Sequence, residues 1–239
     1  DRSALPPPFV QTPFTFGPVA FARRLWHTVR ARKREGRNLF SATQGHFAGE
    51  TFLEEDLSDL ALEGLTFENC TFQSSKMDCL QAARCQFVNC AFLFCQLDGA
   101  SFTRCAFTGC KFRDCGLFGA LFAQCKCMGG SFVSCNLDGL ALQGGNFSYT
   151  SLQGAGFRNQ DLRGINFERA DLRECDLRGA DLRECNLTLC YLQGAKLQEC
   201  DLRGARIDGV DLRACKMKNT KMDLEQAVVI AESLGGVVR

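Results

Sequence analysis

The chain has 239 residues, with 28 Lys and Arg against 27 Asp and Glu and a formal net charge of +1. No run of about 18 apolar residues occurs, so no transmembrane helix is expected, and a charge this near zero gives no overall attraction to phosphate or to an anionic surface. With 16 cysteines and 2 histidines, a disulfide or metal reading must be decided by where the cysteines stand.

Residues 1–18 hold all five prolines, Pro6, Pro7, Pro8, Pro13 and Pro18, and read as an extended arm. The chain starts at Asp1 without Met and shows no signal-peptide pattern, which reads as a fragment or processed form of something longer. Residues 19–35 predict a helix, with Phe21, Leu25 and Val29 on one stripe. Arg23, Arg24, Arg30, Arg32, Lys33, Arg34 and Arg37 give it a basic cluster. Contact with nucleic acid or an anionic membrane is one reading of that cluster; a solvated helix covering the end of the body is the preferred one. Trp26 and His27 read as packing residues.

From Phe52 to Met222 every fifth residue is Phe, Leu, Met or Ile, except Ala82 and Cys127, and the register never slips. Phe47 already stands on it. Two residues before most of these sits a small or apolar residue, often Cys or Ala; the other positions are mainly polar or Gly. A period of five fits neither a helix nor a plain strand. It fits a short extended segment, whose residues two apart face inward together, followed by a corner. Gly99, Gly119, Gly139 and Gly179 stand where such a corner needs positive φ. Fixed-period repetition over many units means a solenoid, one domain whatever its length.

The unit is clearest in Asp161–Cys215, which reads ADLRE, CDLRG, ADLRE from position 170. These residues resemble the pentapeptide-repeat family, whose pattern is A(D/N)LXX. The resemblance implies an all-β right-handed quadrilateral β-helix, four units to a coil and nearly nine coils, here with short terminal helices. The expected organisation is 1–46 arm and N-terminal cap, 47–222 repeat body, and 223–239 C-terminal capping or dimerisation helix. On this square plan Phe52, Phe72, Phe92, Phe112 and Phe132 form one interior column, and Phe67, Phe87 and Phe107 begin the next. No cleft is expected on so regular a surface.

Fourteen cysteines share the small inward position, Cys127 takes a central one, and only Cys79 faces out. They stand in for Ala as small buried residues. Zinc spacing is missing, so no metal or other cofactor is expected, and reduced thiols in the cytoplasm follow; a secreted effector or adaptor is the other setting considered. Outward positions that are apolar, Val88, Leu93, Phe94, Phe118, Met128 and Val133, together with Tyr191, are the candidate partner surface; scattered exposure is equally consistent with them. The Asp and Arg of the DLR units should form a solvated ion-pair lattice.

Residues 223–235 predict a helix with Asp223 as N-cap and Gln226 three residues on. Its apolar stripe is Leu224, Ala227, Val228, Ala231 and Leu234, expected to cover the last coil, to pair two copies as a homodimer, or both. No phosphate loop, H-E-x-x-H or G-x-S-x-G is present, so no enzyme is expected. The first functional reading is a non-catalytic protein-interaction scaffold, a rod within a larger bacterial, secretion-associated protein, with a protein partner and no nucleic acid. The second follows from the tail, KMDLEQAVVIAESLGGVVR, which looks like that of Qnr-type members. That resemblance implies a DNA mimic that binds DNA gyrase. Residues 51–222, with 21 acids and 19 bases, are less acidic than such mimicry wants.

Overall fold

The computed structural model describes residues 45–237. The Pro-rich arm, the helix expected over 19–35 and its basic cluster lie outside the described residues. From Gly45 the chain winds as a right-handed, four-sided β-helix. His46 pairs with Thr66, Phe47 with Phe67 and Ala48 with Glu68, all parallel. The same twenty-residue offset is still kept where Asp201 meets Lys221. Four units of five therefore make one coil. Four faces follow, named by their first central residue: face I (Phe47), face II (Phe52), face III (Leu57) and face IV (Leu62).

Two kinds of unit build the faces. Faces I, II and IV begin as sheets of four, five and five parallel strands, each strand three residues long. Face III, and every face beyond Gln143, pairs through single bridges instead. Bridge units close a turn, as where Ala180 N–H donates to Leu177 O at 3.0 Å. Strand units, most of them centred on Phe, a good strand former, make no such turn. In many of them the central carbonyl also accepts a side-chain hydrogen bond from the next coil. Cys90 Sγ donates to Phe67 O, Cys110 Sγ to Phe87 O and Cys115 Sγ to Phe92 O, each at 3.3 Å. Ser75 Oγ serves Phe52 O at 3.0 Å. The inward cysteines are thus donors as well as small residues, and buried carbonyls need donors.

The interior is filled. Phe52, Phe72, Phe92, Phe112 and Phe132 stack with centroids 4.7, 4.9, 4.5 and 4.6 Å apart. A second column runs Phe47, Phe67, Phe87, Phe107 at 4.9, 4.9 and 4.7 Å. The columns touch edge to face, as at Phe67 and Phe72, 5.4 Å apart, a favoured aromatic geometry. Leucines continue the core to Leu212.

The stacking is interrupted midway along the rod, against the expectation of a surface without clefts. Faces I and II stay bridged at this level, through Asn146 with Asn166 and Ser131 with Ser151. Among the described residues no main-chain bond joins Leu137 to Gly156 or Leu142 to Asp161. Gln160 Nε2 reaches instead to Leu140 O, at 2.7 Å. Gly145 turns the chain here with φ of 102°, and a Cβ on it would lie 2.3 Å from Cys125 O, so no other residue fits without backbone movement. A cleft of about 780 Å³ opens on face IV, lined by Gln124, Gln143, Gln160, Asp161, Arg163 and Arg183 among others.

Helix α1, Leu224–Ser233, closes the C-terminal end. Asp223 and Gln226 form a reciprocal capping box. Gln226 is buried, and its Nε2 also donates to Leu202 O and Ala205 O of the last coil. Val229 and Ile230 pack on the core beside it. This corrects the expected stripe. Leu224, Ala227, Val228 and Ala231 lie on the opposite side of the helix, and Leu224 and Leu234 are 80% and 66% exposed. The side that covers the rod is spelled by one glutamine and two β-branched residues.

Candidate interaction surface

Nearly every corner of the coil holds a residue with positive φ, and many of these are Gly or Asn. Phe94 (φ 56°), Tyr149 (φ 59°) and Leu189 (φ 56°) occupy the same position with bulky side chains. Such residues rarely adopt this conformation. All three are exposed, so burial does not offset the strain.

The candidate residues do not form one patch. Leu93 and Val133 share a column on face II but Arg113 stands between them. Thr108 follows Val88 in the same way on face I, with Met128 beyond it. Val88 and Leu93 are half-buried. Phe94 stands alone on its corner. Phe118 lies on face III, where its N–H donates to Asp98 Oδ1 at 2.9 Å.

A tighter group lies on the edge between faces I and II. Tyr149, Arg169 and Leu189 fill three successive corners, and the Arg169 guanidinium lies 5.8 Å from the centroid of the Tyr149 ring. Tyr191, bridged to Asp171, stands two residues past Leu189. Tyr149 and Leu189 were not among the sequence candidates. The signal for them was present: an aromatic or aliphatic side chain at a register position held mostly by Gly and polar residues.

The DLR units pair internally. Asp161 binds Arg163 Nε and Nη2 at 2.8 and 2.6 Å, and Asp201 binds Arg203 at 2.9 and 2.7 Å. In each, Asp Oδ1 also accepts the arginine main-chain N–H at 3.2 Å. Asn166 and Asn186 make the same backbone contact on face I, which explains why Asp and Asn interchange at this position. The arginine hydrogen bonds hold the Asp161, Asp201 and Asp211 carboxyls down at about 2. Longer contacts, Arg163–Asp181 at 3.6 Å and Arg183–Asp201 at 3.9 Å, knit adjacent coils.

Among the described residues all cysteines are free thiols and no cluster of His, Cys, Asp and Glu is arranged to hold a metal ion. Burial pushes the Cys125, Cys175, Cys185 and Cys200 thiols up to about 12. No helix of the described residues is long and apolar enough to cross a membrane.

The family model for pentapeptide repeats matches residues 150–188 and 185–223. No curated protein matches the sequence. Among solved structures the chain is similar to a trypsin-treated variant of QnrB1, a plasmid-mediated fluoroquinolone resistance protein, at 22% identity and a TM-score of 0.70, covering 81% of this chain and 97% of that one. A second trypsin-treated QnrB1 variant aligns at 21% identity and a TM-score of 0.59, over 82% of this chain and 100% of that one. HetL, a pentapeptide repeat protein involved in heterocyst differentiation regulation from the cyanobacterium Nostoc, aligns at 17% identity and a TM-score of 0.48, over 81% of this chain and 95% of that one. With the register unbroken from Phe47 to Met222 and four units closing each coil, the described residues have the pentapeptide-repeat β-helix fold, and the family's repeats are matched over residues 150–223.

Proposed function

We propose that this rod is a non-catalytic scaffold that binds a protein partner along the edge between faces I and II. One observation carries the reading: Tyr149, Arg169, Leu189 and Tyr191 gather there, exposed, with Tyr149 and Leu189 held in a backbone conformation unfavourable to them. Tyr and Arg dominate the energetics of protein interfaces, and local strain retained at a surface is common at binding sites. The filled interior and the internal pairing of the DLR carboxylates among the described residues support a non-catalytic role. Free thiols throughout fit a reducing, cytoplasmic setting. The outward side of α1, with Leu224, Ala227, Val228 and Ala231, is the proposed homodimer contact. The test is capture of a protein that binds the full chain saturably. Binding should fall at least about tenfold in the Tyr149→Ser/Tyr191→Ser variant, two hot-spot losses, with its circular dichroism unchanged. Undiminished binding would refute the edge as the site.

A second reading, a DNA mimic acting on DNA gyrase, draws on the likeness of fold to QnrB1 and on the capped C-terminal helix. The near-neutral body and the outward arginines of the DLR units weigh against it. A supercoiling assay with and without a quinolone decides: inhibition or drug protection supports this reading, and no effect removes it.

A further inference from the structure

Face III changes sign along the rod. From Asp56 to Gly139 it carries Asp56, Asp59, Asp78, Asp98 and Asp138 against a single base, Lys76. From Gly156 to Asn219 it carries Arg158, Arg178, Lys196, Lys216 and Lys218 against Asp176 and Glu199. The other three faces mix their charges. A face divided in this way is complementary to itself when turned end over end.

We propose that two copies of this chain pack face III against face III, antiparallel, about a two-fold axis between the coil of Phe118 and the coil of Asp138. Such an axis sets each outward column against the same column of the second copy, run in reverse. Asp98 then faces Arg158 of the second copy, and Asp78 faces Arg178. In the neighbouring column Asp56 faces Lys196, and Lys76 faces Asp176. All four contacts are attractive, and symmetry makes each of them twice. Near the axis Phe118 of each copy, 58% exposed, stands opposite Asp138 of the other, beside the Gly119 and Gly139 corners, where small residues allow close approach. Asp59 and Glu199, at the corners, form the one like-charged pairing.

The register is selected as well as allowed. Sliding one coil in one direction sets Asp98 on Asp138 and Asp56 on Asp176. Sliding one coil in the other sets Lys76 on Lys196 and Asp138 on its own copy. Repulsion in both neighbours is what singles out one arrangement. The interrupted stacking between Asn136 and Gly156 does not spoil it. Every attractive pair has one member on each side of that opening, so a wider step moves all four pairs equally. The contact leaves the edge between faces I and II uncovered, and so is independent of the protein partner proposed above; it is an alternative to the pairing through α1, and Leu224→Glu separates the two. A single face of a slender rod makes a small, polar interface, so the dimer forms and dissociates with concentration and salt.

The test is sedimentation equilibrium of the full chain at low and high salt. A dimer is expected in dilute buffer, dissociating as salt screens the pairs. Asp98→Arg and Arg158→Asp should each weaken dimerisation about tenfold or more, since each turns two attractive contacts repulsive. The double variant Asp98→Arg/Arg158→Asp should restore it. Asp78→Arg, Arg178→Asp and their combination repeat the cycle if the loss of the Asp98–Phe118 contact unfolds the first set. A chain that stays monomeric at low salt overturns the proposal. So does a dimer indifferent to both single reversals, a folded double variant that stays monomeric, or a dimer abolished only by Leu224→Glu, which would assign the contact to α1.

Discussion

Cys90 donates its thiol to the main-chain carbonyl of Phe67 in the preceding coil, at 3.3 Å. That carbonyl also lies in the parallel ladder between the strands of Phe67 and Phe87, so the inward side chain one coil later supplies a further donor. Ser75, Thr150 and Thr220 make the same contact where cysteine is replaced.

Cys90→Ala should therefore destabilise the rod by about 0.5–1.5 kcal/mol, the net worth of one buried hydrogen bond, although the two side chains differ little in size. Cys90→Ser keeps a donor and should recover part of that loss. Urea unfolding of the two variants and the parent measures the difference.

Phe92 and Phe94 are two residues apart and predict opposite outcomes. Phe92 is buried between Phe72 and Phe112, so Phe92→Ala should cost about 3–5 kcal/mol. Phe94 is exposed with φ of 56°, so Phe94→Gly should leave stability unchanged or raise it by up to about 1 kcal/mol. Thermal unfolding of both variants is the check.

Thiol labelling of the native protein near neutral pH should find Cys79 first, because it alone is exposed. Half-buried Cys215, whose burial pushes it up to about 11, should follow slowly. Cys175 and Cys185 should react only on unfolding, since thiolate is the reacting form. Mass spectrometry of the labelled peptides reports the order.

The DLR carboxyls link stability to acid. Asp161, Asp201 and Asp211 are held at about 2 by their arginines, below the unfolded value of about 3.9. A depressed folded value adds stability that is fully present above the unfolded value and is lost as pH falls through the folded one. Melting temperature should therefore drop from about pH 4 to pH 2, and Arg203→Gln should flatten that drop. An equal slope in the variant would deny the linkage.

Gln226→Ala should loosen the C-terminal end, because the Ala205 carbonyl loses its side-chain donor and the Leu202 carbonyl keeps only its turn bond from Ala205 N–H. Hydrogen exchange should accelerate in the last coil, with an overall loss of about 1–3 kcal/mol. Leu224→Glu, on the outward side of α1, should leave the exchange rates of the rod unchanged.

The architecture was legible in the sequence because each unit of five makes the same local decision. The central residue points in, the corner takes positive φ, and four corners close a coil. The Phe columns, the inward cysteines and the capping box at Asp223 follow from that period. The orientation of α1 was not legible, because the helix carries apolar residues on two sides and only contact with the last coil selects Val229 and Ile230 over Leu224 and Val228. The opening beside Gln160 was equally hidden. The register of residues passes through it unbroken, whereas the hydrogen bonds that would join the coils depend on how two neighbouring coils sit. The charge division of face III needed both levels. The spacing of twenty places Asp98 and Arg158 in one column, but only the stacked coils show that this column faces solvent along the length of the rod. A local period determines what each residue does within its own unit; how one coil meets the next, or meets a helix, is a long-range geometry that tertiary packing alone decides.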